Sequence, residues 1–184
     1  RVAHELVPDL LPPAGVLTQV GVPDDIAPQI KAADEVSIEQ GRADEGQSCV
    51  IRAGQVIARE DARGTDAMLR GLLDRPVKPM PPAGDDPFAA AMDFVGDMLD
   101  DAADWLSGPV AEARAQPSGG SFFKAPKPGQ DRRIDLPTIG PDTARAAIAA
   151  RLDGLVIDAD GVMVLERDAV VALLDEAGLF LWVR

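Results

Sequence analysis

The chain has 184 residues, 46% apolar, 27% charged and 4% aromatic, which suits one folded domain with a sizeable core and excludes collagen-like, disulfide-framework and largely disordered classes. Eighteen Lys and Arg against thirty-one Asp and Glu leave a net charge of −13, so the chain as a whole repels polyanions and nucleic acid is excluded as a partner. One cysteine, Cys49, and one histidine, His4, exclude an internal disulfide and any multi-Cys or multi-His zinc site, so that a bound metal would be a hard ion held by carboxylates.

No apolar run reaches the ~20 residues of a membrane-spanning helix and no leader pattern opens the chain, so the expectation is a soluble, cytoplasmic protein. Arg1-Val-Ala-His4 reads as the middle of a strand-to-loop transition, and a preceding N-terminal portion is expected. From Asp24 to about Gln40, Ile26, Ile30, Ala33 and Ile38 recur at roughly helical spacing behind two acidic residues, which predicts a helix. Ser48–Arg52 and Gln55–Glu60 are short Val/Ile runs split by Ala53-Gly54, the pattern of a tight hairpin. Thr65 then caps a predicted helix reaching about Asp74.

Between Arg75 and Ser121 prolines and glycines border an acidic insertion. Inside it Phe88, Met92, Val95, Leu99, Ala102 and Leu106 define a predicted amphipathic helix, and eight acidic residues with no basic one lie between Lys78 and Arg114. Such a helix either packs on its own domain or docks a partner; its negative face disfavours a membrane.

The final third predicts a strand at Phe122–Ala125, a helix at Asp142–Leu152 opened by Pro141, and a strand at Leu155–Asp158. Ala159–Gly161 is expected to turn this strand back into a second one at Val162–Leu165, forming a hairpin. A helix at Asp168–Ala177, ended by Gly178, and a strand at Leu179–Val183 complete the chain. Strand, helix, hairpin, helix, strand is an α/β layer with a mixed sheet, α+β being the alternative.

Three constellations have chemical potential. Lys124 to Pro141 gathers Lys124, Lys127, Arg132 and Arg133 with Asp131 and Asp135 on a backbone stiffened by proline, as a phosphate or Mg²⁺ site requires; the other reading is a loop whose Arg and Asp side chains pair with one another. Glu60 to Asp66 precedes a helix, where Gly64 admits an anion and Asp66 could hold metal; plain helix capping is the alternative. Leu155-Val-Ile-Asp158-Ala-Asp160-Gly161-Val162 mimics the aspartyl nucleophile motif of haloacid dehalogenases, but too little chain follows for that fold, so both Asp residues read as turn residues. Cys49 reads as core and His4 lacks a partner ligand.

The segments His4–Leu11, Asp44–Gln47, Gly64–Leu69, Lys127–Gly140 and Ala177–Phe180, in this order, resemble the C-terminal domain of the LpxI family, the UDP-2,3-diacylglucosamine pyrophosphatases of lipid A biosynthesis in certain Gram-negative bacteria. The resemblance implies that residues 1–184 form a catalytic and lipid-binding domain with an insertion at 75–121, separated here from a Rossmann-like N-terminal domain. The implied reaction is Mg²⁺-dependent hydrolysis to UMP and 2,3-diacylglucosamine 1-phosphate (lipid X), with water attacking the sugar-side phosphorus. It assigns the essential acid to Asp131, with Asp135 second, metal binding to Asp131 and Asp66, and substrate contacts to Lys127, Gln130, Arg132, Arg133, Thr138, Gly64 and Thr65. Implied partners are the nucleotide lipid and lipid X, the N-terminal domain, a second copy in a homodimer, and the inner-membrane surface in peripheral contact. Arg63, where an acid is expected before Gly-Thr-Asp, and the long insertion depart from the family pattern. The rival function is a non-catalytic module that binds lipid or a partner.

Overall fold

A computed structural model describes residues 8–73, 119–128 and 136–184. The chain divides into two units, residues 1–75 with 117–184 and residues 76–116. The second unit, and with it the predicted acidic helix, lies outside the described residues.

After a 3-10 turn at Pro8–Leu10, the first unit runs β1 (Gly15–Val16), α1 (Ile26–Ala43), β2 (Ser48–Arg52), β3 (Gln55–Arg59), α2 (Thr65–Gly71), β4 (Ser121–Lys124), β5 (Thr138–Ile139), α3 (Pro141–Ala149), β6 (Gly154–Ile157), β7 (Met163–Val164), α4 (Arg167–Ala177) and β8 (Phe180–Val183). Six strands form one mixed sheet in the order β1-β8-β6-β4-β2-β3. Its centre is parallel, β4 beside β6 beside β8, while β2, β3 and β1 pair antiparallel around it. The fold is therefore α/β with helices on both faces, because parallel strands need crossovers that cover them.

Side chains alternate across each strand, and the core divides accordingly. Val50, Phe122, Leu155, Ile157, Leu181 and Val183 face a cluster that includes Leu69 of α2, Ala144 and Ala147 of α3, and Val170 and Leu174 of α4. Cys49, Ile51, Phe123, Val156 and Phe180 point the other way, onto Ile26, Ala33 and Val36 of α1.

The predicted hairpin at Leu155–Leu165 does not form. Gly161 N–H does close a tight turn on the Asp158 carbonyl at 3.2 Å, and Asp160 adopts a left-handed φ of 54°. The chain then leaves the main sheet: β7 pairs in parallel with β5 in a separate two-stranded sheet. The reason lies next door, since both edges of β6 are already occupied by β4 and β8. Helix α2 ends at Gly71, and Thr65 is its first residue rather than its cap; Gly64 occupies the cap position with φ 88°.

Candidate functional site

Strands β4, β6 and β8 end at the same edge of the sheet, and in open α/β sheets the carboxyl ends of parallel strands are where ligands collect. Lys124 is the last residue of β4 and the cross-strand neighbour of Ser48. The alternation that sends Phe122 toward α2, α3 and α4 sends Lys124 to that face too, and it is only 9% exposed. Its Nζ donates to Thr65 Oγ1 at 2.8 Å, and the Thr65 hydroxyl donates to Glu60 Oε1 at 3.0 Å. The other Glu60 oxygen accepts the Ser48 hydroxyl at 2.7 Å and the Gln47 N–H at 3.0 Å. Burial pushes the Lys124 ammonium below the usual lysine range, opposed in part by the negative charges of Glu60 and Asp66.

The backbone around Glu60 is held closely. The Gln40 side-chain amide on α1 donates to the carbonyls of Glu60, at 2.9 Å, and Ser48, at 3.2 Å. Gly46, with φ 67°, passes so near the Glu60 carbonyl that a Cβ there would collide with it and with the Gln40 amide. Lys127 donates to the Asp44 carboxylate at 2.7 Å, which holds that exposed carboxyl below its ordinary range, and to the Asp44 carbonyl at 3.2 Å. The chain is thus fixed immediately before residue 129.

On the opposite face of the same edge, Arg184 Nε donates to Asp158 at 2.8 Å and its NH2 group pairs with Asp34 of α1. Burial works against this guanidinium, but the two carboxylates outweigh it and hold its pKa above the usual arginine value. Asp158, expected to serve only the turn, is therefore also an ion-pair residue tying β6 to β8. Cys49 is buried on the α1 face, and burial raises its thiol from 9.0 to about 12, which makes it inert as a nucleophile.

The expected site residues divide sharply. Thr65, which follows Gly64, bonds Lys124, and Lys127 lies on the same connection three residues beyond it. Thr138 sits on β5 with its hydroxyl turned to the Leu136 carbonyl at 3.3 Å. Asp66 is exposed and pairs with Arg70, one helical turn on, at 3.7 Å. Arg63, in place of the expected acid, pairs with Asp61 in solvent at 2.7 Å and with it holds that carboxyl down to about 2. Gln130, Asp131, Arg132, Arg133 and Asp135 lie outside the described residues. Among the described residues no three His, Cys, Asp or Glu side chains converge, so they do not by themselves make a metal site around Asp66.

Sequence reasoning underrated Lys124 and Glu60. The signal available was a lysine ending the apolar run Ser-Phe-Phe, in register with the inward-facing Phe122.

The geometry defines an α/β domain with a buried cation and a lysine-anchored connection at the carboxyl edge of its parallel strands, an arrangement suited to an anionic ligand. The model of the LpxI C-terminal domain matches residues 13–79 and 97–182. UDP-2,3-diacylglucosamine pyrophosphatase LpxI of Caulobacter vibrioides is 35% identical over 178 residues, covering 97% of this chain and 52% of that protein. The chain belongs to the LpxI C-terminal domain family and spans about half the length of that relative. Among the described residues no helix is long and apolar enough to cross a membrane.

Proposed function

We propose that this chain is the C-terminal part of a UDP-2,3-diacylglucosamine pyrophosphatase that releases UMP and 2,3-diacylglucosamine 1-phosphate for lipid A synthesis. The relative's activity supports this reading. The observation that carries it is the convergence of three separate family-like segments at one sheet edge: Asp44 binds Lys127, Gln47 binds Glu60, and Thr65 binds both Glu60 and Lys124. The connection that leaves this cluster after Pro128 contains Gln130, Asp131, Arg132 and Arg133.

Hydrolysis of a pyrophosphate requires an anion to accept water and expel a second anion, so charge neutralisation and alignment supply most of the catalysis. In this reading Arg132 and Arg133 take phosphate oxygens, Gln130, Thr138 and Gly64 line the substrate, and Asp131, with Asp135 second, is the essential acid. A divalent cation, Mg²⁺ by preference, belongs to the reading through Asp131. Asp66 has no converging ligand among the described residues, and no step is assigned to it. The partners proposed with this function are an N-terminal domain, a second copy of the chain and the inner-membrane surface.

The test is UMP release by the complete protein, with and without chelator, for wild type and Asp131→Ala. The expected result is chelator-sensitive turnover that falls by about 100-fold or more in the variant at an unchanged melting temperature. Near-normal turnover of Asp131→Ala overturns its assignment, and release of no UMP by wild type overturns the function.

A further inference from the structure

Among the described residues the buried ammonium of Lys124 is incompletely satisfied. It has three N–H donors, and among the described residues its only hydrogen-bond acceptor is Thr65 Oγ1. Glu60, the nearest carboxylate in the chain of bonds, does not reach it directly: its two oxygens are taken up by Thr65, Ser48 and the Gln47 N–H. A buried cation is ordinarily paired, and leaving its donors unmet is costly. The small cavity that Lys124 lines with Gln47 and Ser48, about 10 Å³ and wide enough for a single water, lies on the α1 face with Cys49, Phe123, Asp158 and Arg184 and is not where the ammonium points.

We infer that Lys124 binds a phosphate oxygen of the substrate, and that Glu60, acting through Thr65, is the residue that positions it. This inference rests on the proposed function for the identity of the substrate; the shared chemistry is a phosphate or pyrophosphate anion presented at the carboxyl edge of β4. Glu60 is then neither a metal ligand nor a general base. Its carboxylate orients the Thr65 hydroxyl so that the oxygen lone pair faces Lys124, which fixes the ammonium and turns its two remaining N–H bonds outward. The opposite cluster of Arg184 with Asp34 and Asp158 cannot take this part, because its guanidinium is already matched by two carboxylates.

The test uses the complete protein and two kinds of probe, inorganic pyrophosphate and 2,3-diacylglucosamine 1-phosphate, followed by calorimetry. Lys124→Met is expected to weaken both by about 10- to 100-fold, the effect of losing a charge-assisted hydrogen bond. Glu60→Gln is expected to weaken both several-fold in the wild-type background and to add nothing in the Lys124→Met background, whereas a purely structural role would give equal losses in both. Wild-type affinity in a folded Lys124→Met protein overturns the binding role, and equal Glu60→Gln effects in the two backgrounds overturn the positioning role. If Lys124→Met loses its melting transition, Thr65→Val, which retains the ammonium, replaces it with the same expected direction, and unchanged affinity overturns the inference. Pyrophosphate binding that depends on Lys124 in a protein releasing no UMP upholds the anion site while overturning the substrate.

Discussion

At the scale of single residues, the site trades stability for an available charge. Lys124 lies beside Ser48 and Thr65, and among the described residues its burial is offset by one neutral hydrogen bond and by the charges of two carboxylates that make no ion pair with it. Its pKa is lower in the folded chain than in the unfolded one, so the unfolded state binds more protons between the two values and stability rises with pH through that interval. Below the folded pKa the full penalty is present. Lys124→Met removes it, and the variant should melt at or above the wild-type temperature at pH 7. Its advantage should shrink as pH rises through the upper lysine range, where the wild-type ammonium discharges in both states. Thermal melts across pH measure this; a variant that is less stable at pH 7 would show that the Thr65 bond outweighs the cost of burial.

At the scale of elements, most of the fold was legible because burial writes itself into periodicity. The predicted strands at Ser48–Arg52, Phe122–Ala125, Leu155–Asp158 and Leu179–Val183 match β2, β4, β6 and β8 to within a residue at either end, since each is a short apolar run bounded by turn residues. What failed was pairing. Asp158 to Gly161 has hairpin chemistry, yet partners are chosen by the whole sheet, and β6 has β4 and β8 on its two sides. Strands β1 and β5, two residues each, carry no period to detect. The site was legible only in part: Thr65 and Lys127, singled out through the resemblance, lie at the edge that Lys124 ends, whereas the link from Lys124 to Glu60 depends on contacts 59 and 5 positions apart that spacing cannot reveal. The register of β6 against β8 gives a direct test. Gly154 pairs with Phe180, and a Cβ on Gly154 would run into the Phe180 ring. Gly154→Ala should therefore cost about 1–3 kcal/mol, the usual penalty of overpacking a filled core. Denaturant unfolding checks it, and a neutral result would mean that the ring swings aside without loss of packing.

At the scale of the whole molecule, the described residues provide a charged edge but little enclosure. The cavity on the α1 face of this edge is about 10 Å³, whereas a pocket for a drug-sized ligand occupies roughly 300–1,000 Å³. A larger concavity among the described residues, about 410 Å³, is lined by Leu17 and by α4 residues such as Arg167, Val171 and Asp175, none of them in the Lys124 cluster. Walls for a uridine and two acyl chains would, under the proposed function, come from beyond the described residues; the Caulobacter relative is about twice as long as the stretch that matches. Under the proposed function, the remainder of such a protein would close over the β4 edge and hold the pyrophosphate in line with the attacking water. Alignment of that kind is worth orders of magnitude in rate, while a single charge-assisted contact to phosphate survives without it. The 184-residue chain alone should accordingly bind 2,3-diacylglucosamine 1-phosphate, with Lys124→Met weakening that binding, yet release UMP at least about 100-fold more slowly than the complete protein. Calorimetry on the chain and matched UMP-release assays on the two proteins measure both halves. Equal turnover would place every catalytic wall within these 184 residues, and loss of lipid binding would move the phosphate site away from the edge that Lys124 marks.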